Sequence, residues 1–316
     1  MHPVKVTVLM PAYNAAPYIG AAIASVLSQT MPHFELLIVN DGSTDNTTAV
    51  IQSFNDTRIR LIYQPNSGVA AALNKGLSLA RGEYIARFDA DDICQPNRLQ
   101  QQMTYLDAHP DYVITGSDAE YISEQGEYLC YYSCHAHSND AIKQHLHTSC
   151  PFTHSSVMYR RQAVLQCGGY PVLAMNMEDH LLWVKLSSAG KFYNFPAPLI
   201  QVRFNPASVT IDEKWRGRRF RVLKYGILQR GVITAAEGAE LTGIVQKQNA
   251  TASIRHGAYF ALCGKKLLLN NHMPVKARSY IRKAIQSAPF RLDNYALFVI
   301  SYFPEKYIQW LNKKMN

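Results

Sequence analysis

Four apolar runs lie within residues 4–92: VKVTVLMPAY, FELLIVNDGSTD, IRLIYQ and EYIARFDADD. Segments with helical spacing stand between them. YIGAAIASVLSQ repeats its apolar residues at Ile19, Ile23, Val26 and Leu27. NTTAVIQSF starts behind Asp45 or Asn46, either of which suits an N-cap, and GVAAALNKGLSLA runs to a stop at Gly82. The strand runs are apolar at successive positions, so both faces of each strand need cover. Strands of that kind, separated by helices, build a parallel sheet with helices on both sides.

Such sheets bind ligands beyond the carboxyl ends of their strands. Three polar clusters fall there: PAYN, NDGSTD and DADD. They are distant in sequence but share one edge of the expected sheet. DADD crowds Asp89, Asp91 and Asp92 together. Like charges at that density repel, so a divalent cation, a basic side chain or open water must stand among them. Oxygen donors suit Mg²⁺, which keeps waters and shares its shell with phosphates. The same aspartates also suit caps for the helix that begins near QPNRLQQQMTYL. Asp41 follows LLIV directly, where a carboxylate can accept a hydrogen bond from a ring imide such as that of uracil. Its neighbours are equally ordinary turn formers.

Residues 105–210 mix strands (YVITGSDAEYI, HSSVMYR), a helix (MEDHLLWVKLSSAG) and the extended run KFYNFPAPLIQVRFN. Glu178 and Asp179 open that helix. Acids there complement the helix dipole, and they equally suit a general base for an attacking hydroxyl. From DEKWRGRRFRVLKYGILQRG onward the chain reads as helices, including the amphipathic ARSYIRKAIQSAP. This divides the chain into residues 1–210 and a helical C-terminal region, 211–316.

Taken together these motifs resemble the family 2 glycosyltransferases of GT-A fold. The matching stretches are VTVLMPAYNA, LLIVNDGSTDNT, NSGVAAALNKGLSLARGEYIARFDADDICQPNRLQQQ, HSSVMYRR, GGY, EDHLLW and VRFNPASVT, in the family's order over residues 4–210. The resemblance implies an α/β, Rossmann-like, mostly parallel sheet flanked by helices, followed by the helical region. It implies an inverting transferase that uses a nucleotide-diphosphate sugar, most often a UDP-sugar, and a divalent metal, Mn²⁺ or Mg²⁺. Carried over, Pro11, Ala12 and Tyr13 line the base pocket and Asp41 contacts the base. Asn66, Gly68 and Lys75 lie beside the nucleotide, and Asp89 contacts the ribose. Asp91 is the principal metal ligand, with Asp92 behind it. Asp179 is the catalytic base, supported by Glu178, and His154 and Arg203 stand on the acceptor side. Two positions depart from the family pattern. Leu73 precedes Asn74 where an Arg is frequent, and Asn205 stands where a His is frequent.

The resemblance also implies a saccharide or lipid-linked acceptor in the making of a cell-surface polysaccharide. The chain has 316 residues, 47% hydrophobic and 17% charged, which fits a soluble globular protein and excludes disorder. Its six cysteines are scattered, so free thiols are expected. No run reaches the ~18 apolar residues of a membrane span, and MHPVKVTVLMPAYN lacks a signal-peptide apolar core. The expected location is the cytoplasm, with peripheral contact at the inner face of the membrane. The net charge of +9 calls for an anionic partner. Lys214, Arg216, Arg218, Arg219, Arg221, Lys224 and Arg230 interleave with Trp215, Phe220 and Tyr225, and Trp310, Lys313 and Lys314 follow in the tail. That composition suits an anionic bilayer, or a soluble helical subdomain with one basic face. Nucleic acid is set aside, because no recognition motif is present and the acids cluster in the expected site. A nucleotidyltransferase would need a Gly- and Arg-rich loop after the first strand. A catalytically inactive nucleotide-sugar-binding scaffold is the alternative, against which the intact DADD and ED stand.

Overall fold

The computed structural model describes residues 4–208, 217–247 and 252–315. It divides into two compact units: residues 1–119, 133–202 and 222–242 form the first, and residues 120–132, 203–221 and 243–316 the second. The expected boundary at residues 210 and 211 lies outside the described residues.

The strands are β1 (Val6–Ala12), β2 (Phe34–Asp41), β3 (Ile59–Gln64), β4 (Tyr84–Arg87), β5 (Ile93–Cys94), β6 (Tyr112–Ile122), β7 (Tyr128–Tyr132), β8 (Met158–Arg160) and β9 (Lys191–Arg203). Their order in the sheet is β3-β2-β1-β4-β8-β6-β9-β5, with β7 paired to β6. The expected parallel half is present: β1 pairs with β2 and β4, and β2 with β3, all parallel. All eight residues of β2 are buried, which explains its unbroken apolar run. The register pairs Ala12 with Asn40, Asp41 with Gln64 and Leu9 with Arg87, so the polar clusters leave the sheet at one edge.

The other half is antiparallel. β8 runs against β4 and β6, and β9 runs against β5. A single turn of 3₁₀ helix, His154–Ser156, leads into β8 and so comes to lie against the end of β4. Helices Ile19–Leu27, Thr47–Gln52 and Val69–Leu79 connect the parallel strands. The last of these ends at Leu79, not at Gly82. Gly82 serves a close approach instead: a Cβ there would come within 2.4 Å of the Thr7 amide nitrogen.

In the second unit, helices Ala252–Leu269 and Pro274–Ser287 form a hairpin over Tyr259, Cys263, Leu267, Ala277 and Ile281. The second helix contains the amphipathic stretch expected from sequence and buries Ala277, Tyr280, Ile281 and Ala284. Helices Leu292–Ile300 and Glu305–Met315 follow. Among the described residues, no helix is long and apolar enough to cross a membrane.

Candidate active site

The loops after β1 and β2 are stitched together. Asn14 donates its amide to Ser43 Oγ at 3.0 Å, and its Oδ1 accepts from the Thr44 amide at 2.8 Å. Ala15 donates to Thr47 Oγ1 at 2.8 Å and Ala16 to Asp45 Oδ2 at 3.1 Å. Ala12 is buried at the end of β1, Pro11 is partly buried, and the Tyr13 ring beyond them is 52% exposed, open to stacking.

Asp41 is buried at the end of β2. Its Oδ1 accepts from Gln64 Nε2 at 2.7 Å and from the Ser67 amide at 2.9 Å, and its Oδ2 accepts from the Gly68 amide at 2.9 Å. Gly68 is the N-cap of helix Val69–Leu79, so this carboxylate also meets the positive end of a helix. Asp41 therefore shapes the loop that carries Asn66 and Gly68. Lys75, further along that helix, is exposed.

One carboxylate oxygen from each of Asp89, Asp91 and Asp92 lies within 4.8 Å of the others. This all-oxygen donor set fits a hard divalent cation. A basic group is present as well: the Arg87 guanidinium pairs with Asp89 from within the fold. Arg87 is 4% exposed and Asp89 35%, so the positive charge lies beneath and the carboxylate faces water. Arg98, also buried, bonds the carbonyls of Arg87 at 2.8 Å and Val157 at 3.1 Å, fastening β4 to the approach of β8. The Asp89 amide donates to Ser155 Oγ at 3.1 Å.

His154, next to Ser155, reaches Tyr170 Oη with Nε2 at 3.1 Å. Tyr170 Oη lies 3.4 Å from Tyr159 Oη, which extends the chain of hydrogen bonds inward. Burial, with repulsion from Arg87 next, pushes the His154 imidazole down to about 3, although Asp179 and Asp89 pull the other way. His154 is neutral. Tyr170 is held by Asn74, which donates Nδ2 to its carbonyl at 2.8 Å and accepts its amide on Oδ1 at 2.8 Å. Gly169 precedes it with φ +70°, and a Cβ there would lie 2.5 Å from Asn74 Oδ1, which is why this stretch reads GGY.

Asp179 opens helix Glu178–Leu186, beside the buried Glu178. Its Oδ2 accepts from the Cys150 thiol at 3.6 Å and its Oδ1 from the His180 amide at 2.7 Å. Burial opposes the charge on Asp179, yet the His180 amide and the Lys224 cation help hold its carboxyl below the usual carboxylate range. Burial raises the Cys150 thiol, and Asp179 raises it further, so Cys150 remains a donor. His180 donates from Nε2 to the Leu146 carbonyl at 2.6 Å, and burial keeps it neutral. The site thus has a carboxylate with two donors fixing its direction, and the turn that carries His154 is tied to Asp89 through Ser155.

Several members escaped the sequence reading. Arg87 was visible as a lone charge inside an apolar strand, which is rarely accidental. Asn74 and Tyr170 stood inside matched motifs with no role of their own, and Cys150 carried no local signal. Lys224 belongs to the basic stretch of the sequence, and its positive charge helps lower the Asp179 carboxyl. Arg203 lies in the second unit, where its Nη1 bonds the carbonyls of Ser123 at 3.2 Å and Glu124 at 2.9 Å. Asn205 closes its own turn, accepting the Ala207 amide at 2.8 Å.

Comparison with known proteins identifies the family and the fold. Residues 7–169 match the family described as Glycosyl transferase family 2. The amylovoran biosynthesis glycosyltransferase AmsE of Erwinia amylovora is 30% identical over 238 residues, covering 72% of this chain and 88% of its own. Some relatives are longer, and the chain spans only 30% to 35% of three glycosyltransferases from Rickettsia. Among solved structures, residues 1–349 of S. aureus TarS, in complex with UDP-GlcNAc, superpose with a TM-score of 0.57 at 17% identity, covering 90% of this chain and 89% of that one. The mannosyltransferase PcManGT from Pyrobaculum calidifontis, in complex with GDP-Man and Mn²⁺, superposes with a TM-score of 0.53 at 18% identity, covering 95% and 86%. The last two likenesses speak to fold alone.

Proposed function

Because the chain belongs to glycosyltransferase family 2, we propose that this glycosyltransferase moves a sugar from a UDP-sugar to a hydroxyl of a saccharide or lipid-linked acceptor, with inversion, in the building of a cell-surface polysaccharide such as O-antigen, capsule or exopolysaccharide. One observation carries this reading: Asp41, the Asp89–Asp92 cluster and Asp179 belong to one compact unit, and the Asp89 amide donates to Ser155, the residue next to His154. The polysaccharide assignment is supported by the similarity to AmsE, and the donor class by the fold shared with nucleotide-sugar complexes. A hexose or N-acetylhexosamine is the sugar class. A nucleotide-diphosphate donor is too highly charged to cross a bilayer unaided, so we place the reaction in the cytoplasm.

Donor binding falls to the loops at the sheet edge. Pro11, Ala12 and the exposed Tyr13 face the base, and Asp41 and the Asn66–Gly68 loop that it shapes complete the pocket, with Lys75 nearby. Asp89, steadied by Arg87, takes the ribose. Asp91, backed by Asp92, would hold Mn²⁺ or Mg²⁺, which when bound supplies positive charge for the departing diphosphate. At the acceptor, Asp179 removes the hydroxyl proton, with Glu178 beside it and His154 on the acceptor side. The acceptor oxygen bonds to the anomeric carbon as the bond from that carbon to the diphosphate breaks, and the configuration inverts. Cys150 and the His180 amide keep the base aimed throughout.

Calorimetric titration with UDP, GDP and dTDP, each with Mn²⁺ or EDTA, tests the donor half. Metal-dependent binding of UDP above the other two is expected, and preference for GDP or dTDP would overturn the base assignment. Binding of UDP-sugars without transfer to any saccharide acceptor would favour the inactive scaffold.

A further inference from the structure

The charge of this chain is segregated. Residues 211–316 hold 19 of the 32 Lys and Arg but only 6 of the 23 Asp and Glu, a net +13, while residues 1–210 are net −4. The same region carries an exposed run of large apolar side chains. Phe290 is 95% exposed and Leu292 80%, followed by Tyr295, Val299, Tyr302, Phe303, Tyr307 and Trp310, all exposed. Leu292, Tyr295 and Val299 recur at spacings of three and four, one face of helix Leu292–Ile300. The other face is used inward: Asn294 is buried, and Leu297 and Phe298 pack on the core of the second unit. Helix Glu305–Met315 likewise buries Ile308 and exposes Tyr307 and Trp310. An apolar helix would ordinarily be covered on both sides.

Cations stand among these aromatics. Arg278 lies over the Tyr302 ring at 4.5 Å and Arg282 over Phe298 at 5.5 Å. Helix Pro274–Ser287 carries Lys276, Arg278, Arg282 and Lys283 and no acidic residue. Large aromatics interleaved with cations are the chemistry of a bilayer interface, where rings sit at headgroup depth and cations meet anionic headgroups.

We propose that the face formed by residues 290–310, with the cations of helix Pro274–Ser287 beside it, docks on an anionic lipid bilayer. This face is distinct in sequence from the basic stretch 214–230, of which Lys214, Trp215 and Arg216 lie outside the described residues, Phe220 is buried and Arg230 pairs with Glu237, while Arg218, Arg219, Arg221 and Tyr225 are exposed. The inference does not rest on the transfer chemistry, since an inactive chain with this surface would bind equally.

Sedimentation of the full chain with vesicles tests it. Vesicles of neutral phosphatidylcholine are compared with vesicles holding about a third phosphatidylglycerol, in low and high salt. Expected are at least ten-fold stronger binding to the anionic vesicles, weakening in salt, and a loss of at least ten-fold in the triple variant Leu292→Ser, Tyr295→Ser, Val299→Ser. Arg282→Glu with Lys283→Glu should lose the preference for anionic lipid. Far-ultraviolet circular dichroism and the thermal unfolding midpoint of each variant check that the fold is intact. Equal binding by wild type and triple variant would overturn the proposal, as would no binding by wild type. Concentration-dependent self-association abolished by the triple variant, without vesicle binding, would identify the face as a contact between copies. Binding of RNA or DNA through this face, with no vesicle binding, would assign it to nucleic acid.

Discussion

Arg87 forms an ion pair with Asp89, two residues further on, and it does so from inside the fold. The crowded aspartates at the end of β4 thus have one positive neighbour supplied by the chain itself. Arg87→Met removes that charge and leaves Asp89 to water alone. The expected cost is about 1–3 kcal/mol, below that of a fully buried broken pair because Asp89 is partly solvated. Thermal unfolding measures it. An unchanged midpoint would mean that the pair contributes nothing to stability.

Asp41→Ala strands three donors: Gln64 Nε2 and the amides of Ser67 and Gly68. Each buried donor left unmade costs about 1–3 kcal/mol, less where water enters. Both stability and UDP affinity should fall, the affinity at least ten-fold. A variant that binds UDP normally would separate Asp41 from the nucleotide.

Asp91→Ala takes one oxygen donor from the three-carboxylate cluster. UDP binding in Mn²⁺ should fall to the level seen in EDTA, with little change in unfolding temperature. Calorimetry decides this, and retention of the metal effect would transfer the role to Asp89 or Asp92.

Asp179→Asn keeps the shape of the side chain and removes the ability to take a proton. Transfer should drop by on the order of 10²–10⁴ or more, with UDP binding unchanged. Full transfer in this variant would place the base elsewhere.

The neutral His154 makes stability depend on pH. Its folded value of about 3 lies below the unfolded value of 6.5, so the unfolded chain binds the extra proton. The contribution is therefore complete above 6.5 and is lost as pH falls toward 3. Carboxylates held low, such as Asp45, Asp107 and Asp179, add their losses only at more acidic pH, below about 5. Urea unfolding at pH 7, 6 and 5 should show falling stability. His154→Gln should flatten part of that slope, with the buried His180 accounting for the rest. A flat wild-type profile would mean that His154 is not held neutral.

Much of the fold was legible because it rests on local pattern. Unbroken apolar runs such as LLIV announce strands covered on both faces, and spacings such as Ile19, Ile23 and Val26 announce helices. These signals led to the parallel half of the sheet and to one edge bearing PAYN, NDGSTD and DADD. The antiparallel half was less legible, since β5 has two residues and β8 three, too few to show a period.

By itself the sequence determined the element types, the order of the motifs and the crowding of Asp89, Asp91 and Asp92, because each depends on residues a few positions apart. Tertiary structure alone decided what meets them. Asn74 clamps Tyr170 across 96 residues, and Ser155 receives the Asp89 amide across 66. It likewise left Leu292, Tyr295 and Val299 outside. A cation or an apolar side chain reads the same in sequence whether it faces the core, a catalytic carboxylate or water. Only the packing of the elements around it settles which, because that packing determines its dielectric surroundings and the charges within reach.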